Sequence, residues 1–455
     1  MQQMKRLLLL LLSIIVLCNH FPQSNMYASA SEKKATTWPK GPSVDAESAI
    51  LMDLSSGAIL YEKKAHKKQY PASITKIMTT LLAIENCSMG EIVTFSHDAI
   101  FGIERGSSHI GMQEGEKLTI EQALYGIMLA SANEVSWGVG EHISGTIFDF
   151  ATLMNKRAKE LGCLNTNFVN ANGLHDDNHY TSAYDMALIS KEAMKYSTFR
   201  KITASRTYTI PPTNKHDINN AFANHHQMVI GNNYPKYKYE YCIGGKTGYT
   251  SNAGSTLVTF AKKNDMELVC VVMKAHGATA EKNQYTDTIN LFNWAFENFT
   301  QHNMNTQTKE LENSGVSLFT RYNPIFNSEQ TPLFLNSTSI LLPNGVEPEE
   351  VQQTVTIYSD VKLKKKENII GQVAYTYNDR AIGTTNIIFS PPNIEELKTT
   401  DPIQEIDTNS IRAIERYDLK PYIIASIFGI LTIFILIYVY ISKRSRRNRD
   451  YDLHF

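Results

Sequence analysis

Residues 243–273, IGGKTGYTSNAGSTLVTFAKKNDMELVCVVM, have the pattern of three antiparallel strands joined by short turns. Residues 255–261 and 266–273 are rich in the apolar and β-branched side chains that favour strands. Between them lies Asn264-Asp265, a pair that is typical of tight turns. The glycine-containing run 243–248 comes before this hairpin and predicts the first strand of a meander.

Other patterned segments predict a second hairpin and several helices around the meander. Residues 49–53 and 58–62 are short apolar runs on either side of a Ser-Ser-Gly turn. After Pro71, apolar residues recur at the spacing of one helix face, at Ile74, Ile77, Met78, Leu81 and Leu82. Three further segments have helical patterns: 118–132, 147–161 and 286–299. We therefore expect an α/β domain over residues 31–299, with an antiparallel sheet flanked by helices.

The chain begins with the features of a secretory signal peptide. Lys5 and Arg6 precede an apolar run at residues 7–17, and Ala28-Ser29-Ala30 offers a small-residue cleavage site. The apolar run is too short to cross a bilayer of about 30 Å as a helix. We therefore expect residues 1–30 to be a signal peptide and the remainder to be exported.

The other end of the chain predicts a membrane anchor. Residues 422–442 carry no charge and are long enough to span a bilayer as a helix. Residues 443–455 then hold five basic and two acidic side chains, and basic flanks stay in the cytoplasm. The sequence thus predicts a single-pass cell-membrane protein with its main body on the extracytoplasmic side. A buried core helix is the alternative, which so long an uncharged run at a chain end disfavours.

The segment before the anchor predicts a second, smaller domain. Short strand-like runs separated by turn residues predict an all-β domain over residues 305–395, and a polar linker follows at residues 396–421.

Composition excludes some classes of protein. The chain has 44 Lys+Arg against 45 Asp+Glu, whereas a nucleic-acid-binding protein would have a basic surplus. Five cysteines are too few for a disulfide-rich scaffold, and none forms a C-x-x-C pair. Four cysteines lie in the exported part and permit three pairings that the sequence does not distinguish: Cys87, Cys163, Cys242 and Cys270. We expect them to be small buried thiols.

The segment SITK at residues 73–76 places the Ser73 hydroxyl at a predicted helix start and the Lys76 amine one turn along the same side. A serine is a weak nucleophile at neutral pH and needs a base within hydrogen-bond reach. Lysine can be that base if burial and a nearby positive charge lower its pKa. The helix N-terminus also directs backbone N–H groups toward an oxyanion. Taken alone the pattern is weak, because S-x-x-K also begins at Ser31 and Ser359.

Two further motifs could complete a catalytic site. Ser131-Ala132-Asn133 ends a predicted apolar helix, where a hydroxyl could relay a proton and an amide could hold a substrate carbonyl. Lys246-Thr247-Gly248 lies on the first strand of the meander, where a cation and a hydroxyl can face a cleft and glycine allows a substrate backbone to approach. Taken alone, the first of these motifs could be a helix cap and the second an exposed strand edge. All three motifs in this order favour one cleft.

These motifs resemble those of the penicillin-recognising serine enzymes, which include the penicillin-binding proteins and the serine β-lactamases. Within that group the chain is similar to the low-molecular-weight D-alanyl-D-alanine carboxypeptidases over residues 46–299. Several surrounding strings carry the likeness: YPA at 70–72, GE at 115–116, LASAN at 129–133, NGLH at 172–175, HYTSAYD at 179–185 and GKTGYT at 245–250. The resemblance implies a β-lactamase/transpeptidase-like α/β domain followed by a β-rich domain. Two features depart from the family pattern, namely Glu134 in place of a common aspartate and the unusual segment 214–241.

The resemblance also implies acyl transfer without a metal or other cofactor. Ser73 would attack the carbonyl of the penultimate D-alanine, with Lys76 as proton acceptor. The N–H groups of Ser73 and Tyr249 would form the oxyanion hole. Ser131 would help to protonate the departing D-alanine, and water would then hydrolyse the acyl-enzyme.

The substrate-binding residues follow from the same likeness. Asn133 would fix the substrate backbone, and Lys246 with Thr247 would bind the terminal carboxylate beside Gly248. The implied partners are peptidoglycan stem peptides ending in D-Ala-D-Ala, with β-lactams as inhibitors.

Two other enzyme classes share some of these features. A class A β-lactamase has a glutamate in an E-x-x-L-N string, whereas the nearest string here has Leu161 at that place. A metallopeptidase could bind zinc through His175 and His179 if they lay on a helix, with Asp176 and Asp177 between them. The surrounding residues indicate a loop instead, and no glutamate lies between the histidines.

A wall-binding scaffold that kept the fold and lost turnover is the non-enzyme alternative. The intact set of serines, lysines and amide argues against it.

Overall fold

The computed structural model describes residues 37–275, 283–304, 333–336, 338–358, 361 and 367–389. The chain divides into two compact units, residues 1–391 and 392–455, and every described residue belongs to the first unit. Four predicted segments lie outside the described residues: the signal peptide at 1–30, the linker at 396–421, the membrane segment at 422–442 and the tail at 443–455. Within the described ranges, no helix combines the length and apolar character needed to cross a bilayer.

Helices and strands alternate up to Asn298, and strands predominate after it. In chain order the strands are β1 (Ser48–Asp53), β2 (Ile59–Lys63), β3 (Ile92–Thr94), β4 (Lys117–Thr119), β5 (Thr207–Ile210), β6 (Asn220–Ala223), β7 (Cys242–Thr250), β8 (Gly254–Lys263), β9 (Met266–Ala275), β10 (Phe299–Met304), β11 (Leu333–Leu335), β12 (Thr338–Pro343), β13 (Gln352–Ile357), β14 (Asn368–Tyr377) and β15 (Arg380–Phe389). The helices are α1 (Lys76–Asn86), α2 (His97–Phe101), α3 (Ile120–Leu129), α4 (Asn133–Ser144), α5 (Ile147–Glu160), α6 (Ala183–Ala193), α7 (Ser197–Ala204), α8 (Gln227–Ile230) and α9 (Gln284–Asn298).

A five-stranded antiparallel sheet in the order β2-β1-β9-β8-β7 forms the centre of the α/β part. The predicted hairpin is β1 with β2, and the predicted meander is β7, β8 and β9. Asn264 lies in the predicted turn with a positive φ of 54°. Leu51 of β1 pairs with Cys270 of β9, so the hairpin extends the meander into one sheet. This pairing leaves β7 at the sheet edge.

Both faces of this sheet are covered, because successive residues of a strand point to opposite sides. Ile50 and Met52 of β1 belong to the core shared with α1 and the other helices on that face. Ala49 and Leu51 belong to a second core, packed against α9. All the residues of β1 are therefore buried.

The strands after α9 form two smaller sheets, β11-β15-β14-β13 and β10-β12. Strand runs predicted in this region are confirmed at β12, β13, β14 and β15, although residues 305–332 and 390–395 of the predicted domain lie outside the described ranges. Asn378 and Asp379 join β14 to β15 with φ values of 48° and 60°, as a type I′ turn requires. The Arg380 guanidinium lies 4.9 Å from the centre of the Trp38 ring, which joins this region to the α/β part.

Candidate active site

The predicted nucleophile lies in a tight turn that leads into helix α1. Residues Ala72–Thr75 form a 3-10 turn, and the α-helix begins at Lys76 rather than at Pro71. Ala72 has a positive φ of 50°, a conformation that is strained for a side chain with a Cβ atom. The turn brings the Ser73 Oγ to 3.1 Å from the Lys76 Nζ. The hydroxyl and the amine are thus within direct proton-transfer distance.

Lys76 is fully buried and has three oxygen atoms around its amine. Besides Ser73, these are the Asn133 Oδ1 at 2.6 Å and the Asn172 carbonyl oxygen at 2.5 Å. Burial lowers the pKa of Lys76 well below its usual value, and the positive charge of Lys246 lowers it further. A neutral amine has two hydrogens to donate to the two asparagine oxygens, which leaves its lone pair for the proton of Ser73.

The second predicted motif lies between two helices rather than at the end of one. Helix α3 spans Ile120–Leu129, and α4 begins at Asn133, so the predicted helix 118–132 starts two residues too early and ends three residues too late. Ser131 has a φ of 62°, and its buried Oγ has no hydrogen-bond partner among the described residues. The break directs Asn133 toward Lys76 and leaves the Ser131 hydroxyl available to a ligand.

The third predicted motif lies on the edge strand β7, which passes beside the nucleophile turn. Lys246 is buried, its Nζ donates to the Thr247 carbonyl oxygen at 2.9 Å, and burial lowers its pKa to about 7. A Cβ atom added at Gly248 would lie only 2.8 Å from the Ser73 nitrogen. Tyr249, the next residue, has an exposed side chain. Glycine is therefore required where the strand meets the turn.

The loop before α6 supplies contacts that the motifs did not indicate. Asn172 provides the carbonyl oxygen for Lys76, and Gly173 follows with a φ of 84°. A Cβ atom at Gly173 would lie 1.9 Å from the Ala72 carbonyl oxygen. The string NGLH was part of the family likeness, but a backbone acceptor has no signature of its own in a sequence.

The histidines of the metallopeptidase alternative are occupied by protein groups. His179 is buried; its Nδ1 accepts from the Val169 N–H at 3.1 Å, and its Nε2 lies 2.9 Å from the Thr75 Oγ1. The first contact fixes the proton on Nε2, so this nitrogen donates to Thr75. His175 instead lies 2.7 Å from the Asn252 amide, and the segment between the two histidines is a loop. This arrangement leaves His179 no free lone pair for zinc.

Comparison with known proteins places this geometry in a family. The model of the peptidase S11 family, D-alanyl-D-alanine carboxypeptidase, matches residues 33–277. The D-alanyl-D-alanine carboxypeptidase DacF of Bacillus subtilis is 36% identical over 306 residues, which are 66% of this chain and 73% of the relative. The chain belongs to the peptidase S11 family. The predicted family is confirmed, and so is the prediction that the protein is a serine peptidase.

Solved structures show the same fold as this S11 peptidase. Penicillin binding protein 5 of Haemophilus influenzae is 26% identical with a TM-score of 0.57, over 77% of this chain and 98% of that protein. The DD-transpeptidase of Streptomyces K15 is 25% identical with a TM-score of 0.51, over 57% of this chain and 100% of that protein. The predicted transpeptidase-like α/β fold is thereby confirmed.

Proposed function

We propose that this S11 peptidase removes the terminal D-alanine from peptidoglycan stem peptides through an acyl-enzyme on Ser73, and that β-lactams inhibit it by acylating the same serine. One observation carries the assignment. The Ser73 hydroxyl lies 3.1 Å from an amine that is fully buried and whose pKa is lowered. A neutral amine at this distance is a general base for acyl transfer.

The first chemical step is attack on the penultimate D-alanine. The Ser73 oxygen bonds to the carbonyl carbon, and its proton moves to Lys76. Negative charge then develops on the carbonyl oxygen, where the N–H groups of Ser73 and Tyr249 stabilise it. The close passage of β7 beside the Ser73 nitrogen supports this pairing of donors.

The second step is departure of the terminal D-alanine. Its nitrogen needs a proton, which Ser131 relays from the protonated Lys76 with the assistance of Lys246. The buried Ser131 Oγ supports this role, since it has no protein partner among the described residues. Water then attacks the ester and the reverse proton transfers free Ser73.

Substrate binding rests on Asn133, Lys246 and Thr247. The Asn133 Oδ1 is engaged by Lys76, so its amide nitrogen remains to donate to a substrate carbonyl. Lys246 and Thr247 bind the terminal carboxylate, next to Gly248. A buried cation and an incoming carboxylate stabilise each other, and the anion raises the pKa of Lys246 again from about 7.

The location of the enzyme is part of the proposal and is argued from the two ends of the sequence. We propose that residues 1–30 direct export, that residues 422–442 anchor the chain in the cell membrane, and that the peptidase and β-rich domains lie outside the cytoplasm. The uncharged run and its basic flank support this orientation. Ending the chain at Pro421 should release active enzyme into the medium; retention in the membrane fraction would contradict the anchor.

The activity is tested by D-alanine release from a synthetic peptide that ends in D-Ala-D-Ala. The expected result is release of D-alanine that penicillin blocks. The matched peptide ending in D-Ala-L-Ala should not release its terminal L-alanine. Rapid hydrolysis of penicillin would support a β-lactamase instead. Penicillin binding without peptide turnover would support an inactive scaffold.

A further inference from the structure

Three potential metal ligands meet on the α/β part at the far ends of helices α1 and α4. Cys87 follows the last residue of α1, Glu91 directly precedes β3, and His142 lies in the last turn of α4. Their sulfur, oxygen and nitrogen atoms all lie within 4.8 Å of one another. No other group of this kind occurs within the part of the chain that the structure describes.

We propose that Cys87, Glu91 and His142 bind Zn²⁺, with water as the fourth ligand. Thiolate, imidazole and carboxylate are the three protein ligands of zinc, and sites with three of them keep one position open. The mixed sulfur, nitrogen and oxygen set excludes Mg²⁺ and Ca²⁺, which prefer oxygen alone.

The side chains are already close to the geometry of such a site. The Glu91 Oε1 lies 2.9 Å from the His142 Nε2, and the other Glu91 oxygen accepts from the Ser88 N–H at 3.1 Å. In a tetrahedral zinc site the ligand atoms are about 3.5 Å apart, because bonds to the metal are about 2.0–2.3 Å long. Zinc would therefore replace the direct contact between Glu91 and His142 by small rotations of their side chains.

Backbone hydrogen bonds hold Cys87 and Glu91 in place independently of the metal. The Cys87 N–H donates to the Ala83 carbonyl oxygen at 3.0 Å, and the Ile120 N–H donates to the Glu91 carbonyl oxygen at 2.8 Å. A preorganised set of ligands loses less conformational entropy on binding than a flexible one.

Charge also favours a cation at this place. Cys87 caps the C-terminus of α1, and His142 lies near the C-terminus of α4, so two negative ends of helix dipoles converge here. A thiolate and a carboxylate add two negative charges, which one divalent cation neutralises. A cysteine thiol is mostly protonated at neutral pH and zinc binds the thiolate, so binding releases the thiol proton.

The position of the site indicates its effect. Helices α1 and α4 carry Lys76 and Asn133 at their first residues, and the 11 residues of α1 separate Lys76 from Cys87 by roughly 16 Å. A cation here would join the distal ends of the two helices that meet in the catalytic cleft. Its expected effect is on stability, and it takes no part in acyl transfer.

The test uses the full-length chain in detergent, without a histidine tag, titrated with Co²⁺ as a spectroscopic substitute for Zn²⁺. We expect a thiolate-to-cobalt charge-transfer band that saturates at one equivalent and disappears when Zn²⁺ is added. Zn²⁺ should also raise the melting temperature and release a proton. Cys87→Ser should abolish the band and the rise in melting temperature, whereas the matched variant Cys163→Ser, at another free cysteine that is itself buried, should keep both.

Two further variants retain the thiol and remove one other ligand. His142→Gln and Glu91→Gln should each weaken Zn²⁺ binding by at least about tenfold. They decide the matter if circular dichroism shows that Cys87→Ser does not fold. Unchanged affinity in both, a band that persists in Cys87→Ser, or no band in the unsubstituted protein at saturating Co²⁺ would each overturn the proposal.

Discussion

The carbonyl oxygen of Asn172 lies 2.5 Å from the amine of Lys76, so a loop between α5 and α6 holds the base of the catalytic serine. The next residue, Gly173, packs its backbone against the Ala72 carbonyl group just before Ser73. One short loop therefore positions both the nucleophile turn and its general base. The site depends on backbone packing as well as on its motif side chains.

Gly173→Ala should reduce both stability and acylation. The substitution adds backbone strain of about 1–2 kcal/mol at a positive φ and also pushes the added Cβ into the Ala72 carbonyl group. Gly162→Ala is the matched control, because its φ is 87° and its nearest neighbour would be 3.9 Å away. Urea unfolding and the rate of labelling by fluorescent penicillin measure the two effects. Equal behaviour of the two variants would contradict a positioning role for this loop.

Lys76→Gln should slow acylation by about 10²–10⁴-fold, because glutamine keeps the polar contacts and lacks a basic lone pair. Penicillin labelling under single-turnover conditions measures this step. The exposed residue Lys201, which pairs with Glu121, offers Lys201→Gln as a control with unchanged acylation. A fully active Lys76→Gln would mean that another group takes the proton.

The pH dependence of kcat/KM should show an alkaline limb close to pH 7. Burial lowers the pKa of Lys246 to about 7, and the carboxylate of the substrate needs the protonated form. Catalysis should therefore weaken as pH rises through this value in the free enzyme. In the pH profile of kcat this limb should lie at a higher pH than in the profile of kcat/KM, because the bound carboxylate stabilises the charged form of Lys246. A peptide with its terminal carboxylate esterified should lack this limb; an identical limb would assign it to a different group.

Stability should fall as pH decreases from about 6.5 toward 3, in part because of His179. Burial lowers the pKa of His179 to about 3, so the unfolded chain binds a proton in this range and the folded chain does not. Each such group makes the free energy of unfolding fall by about 1.4 kcal/mol per pH unit. His179→Gln should flatten this slope by up to that amount, as urea unfolding at several pH values would show. His226, whose pKa burial also lowers to about 3, should maintain the remaining slope. An unchanged slope would contradict the neutral, buried state of His179.

Much of this site could be predicted because its side chains lie in short local motifs. Ser73 and Lys76 are one turn apart, and Lys246 lies on a strand whose pattern is clear, so sequence spacing alone indicates their placement. The remainder depends on contacts between distant segments. The Asn172 carbonyl oxygen is a backbone group, and a residue of any type would supply the same atom. Only the fold shows which carbonyl oxygen faces Lys76.

The break between α3 and α4 was missed for a physical reason. Residues 129–132 read Leu-Ala-Ser-Ala, which continue an apolar helical pattern and contain no glycine or proline. The structure ends α3 at Leu129 and gives Ser131 a φ of 62°. A serine in this conformation is strained, and such strain is found where a side chain must be aimed at a functional site.

The order of strands in the central sheet also required the structure. Local patterns predict the hairpin and the meander separately, but the pairing of Leu51 with Cys270 joins segments far apart in the sequence. Apolar side chains on both faces of β1 are compatible with several neighbours. Only the packing of the two cores selects β9.

The most direct test is to locate the bond that penicillin forms with the enzyme. The protein is incubated with penicillin and digested, and mass spectrometry identifies the modified peptide. We expect the peptide that contains Ser73 to gain the mass of the inhibitor. In the Ser73→Ala variant, both this adduct and the release of D-alanine should be lost. Ser205→Ala, which removes an exposed hydroxyl elsewhere, should retain both. An adduct on a different serine, or D-alanine release by Ser73→Ala, would contradict the account.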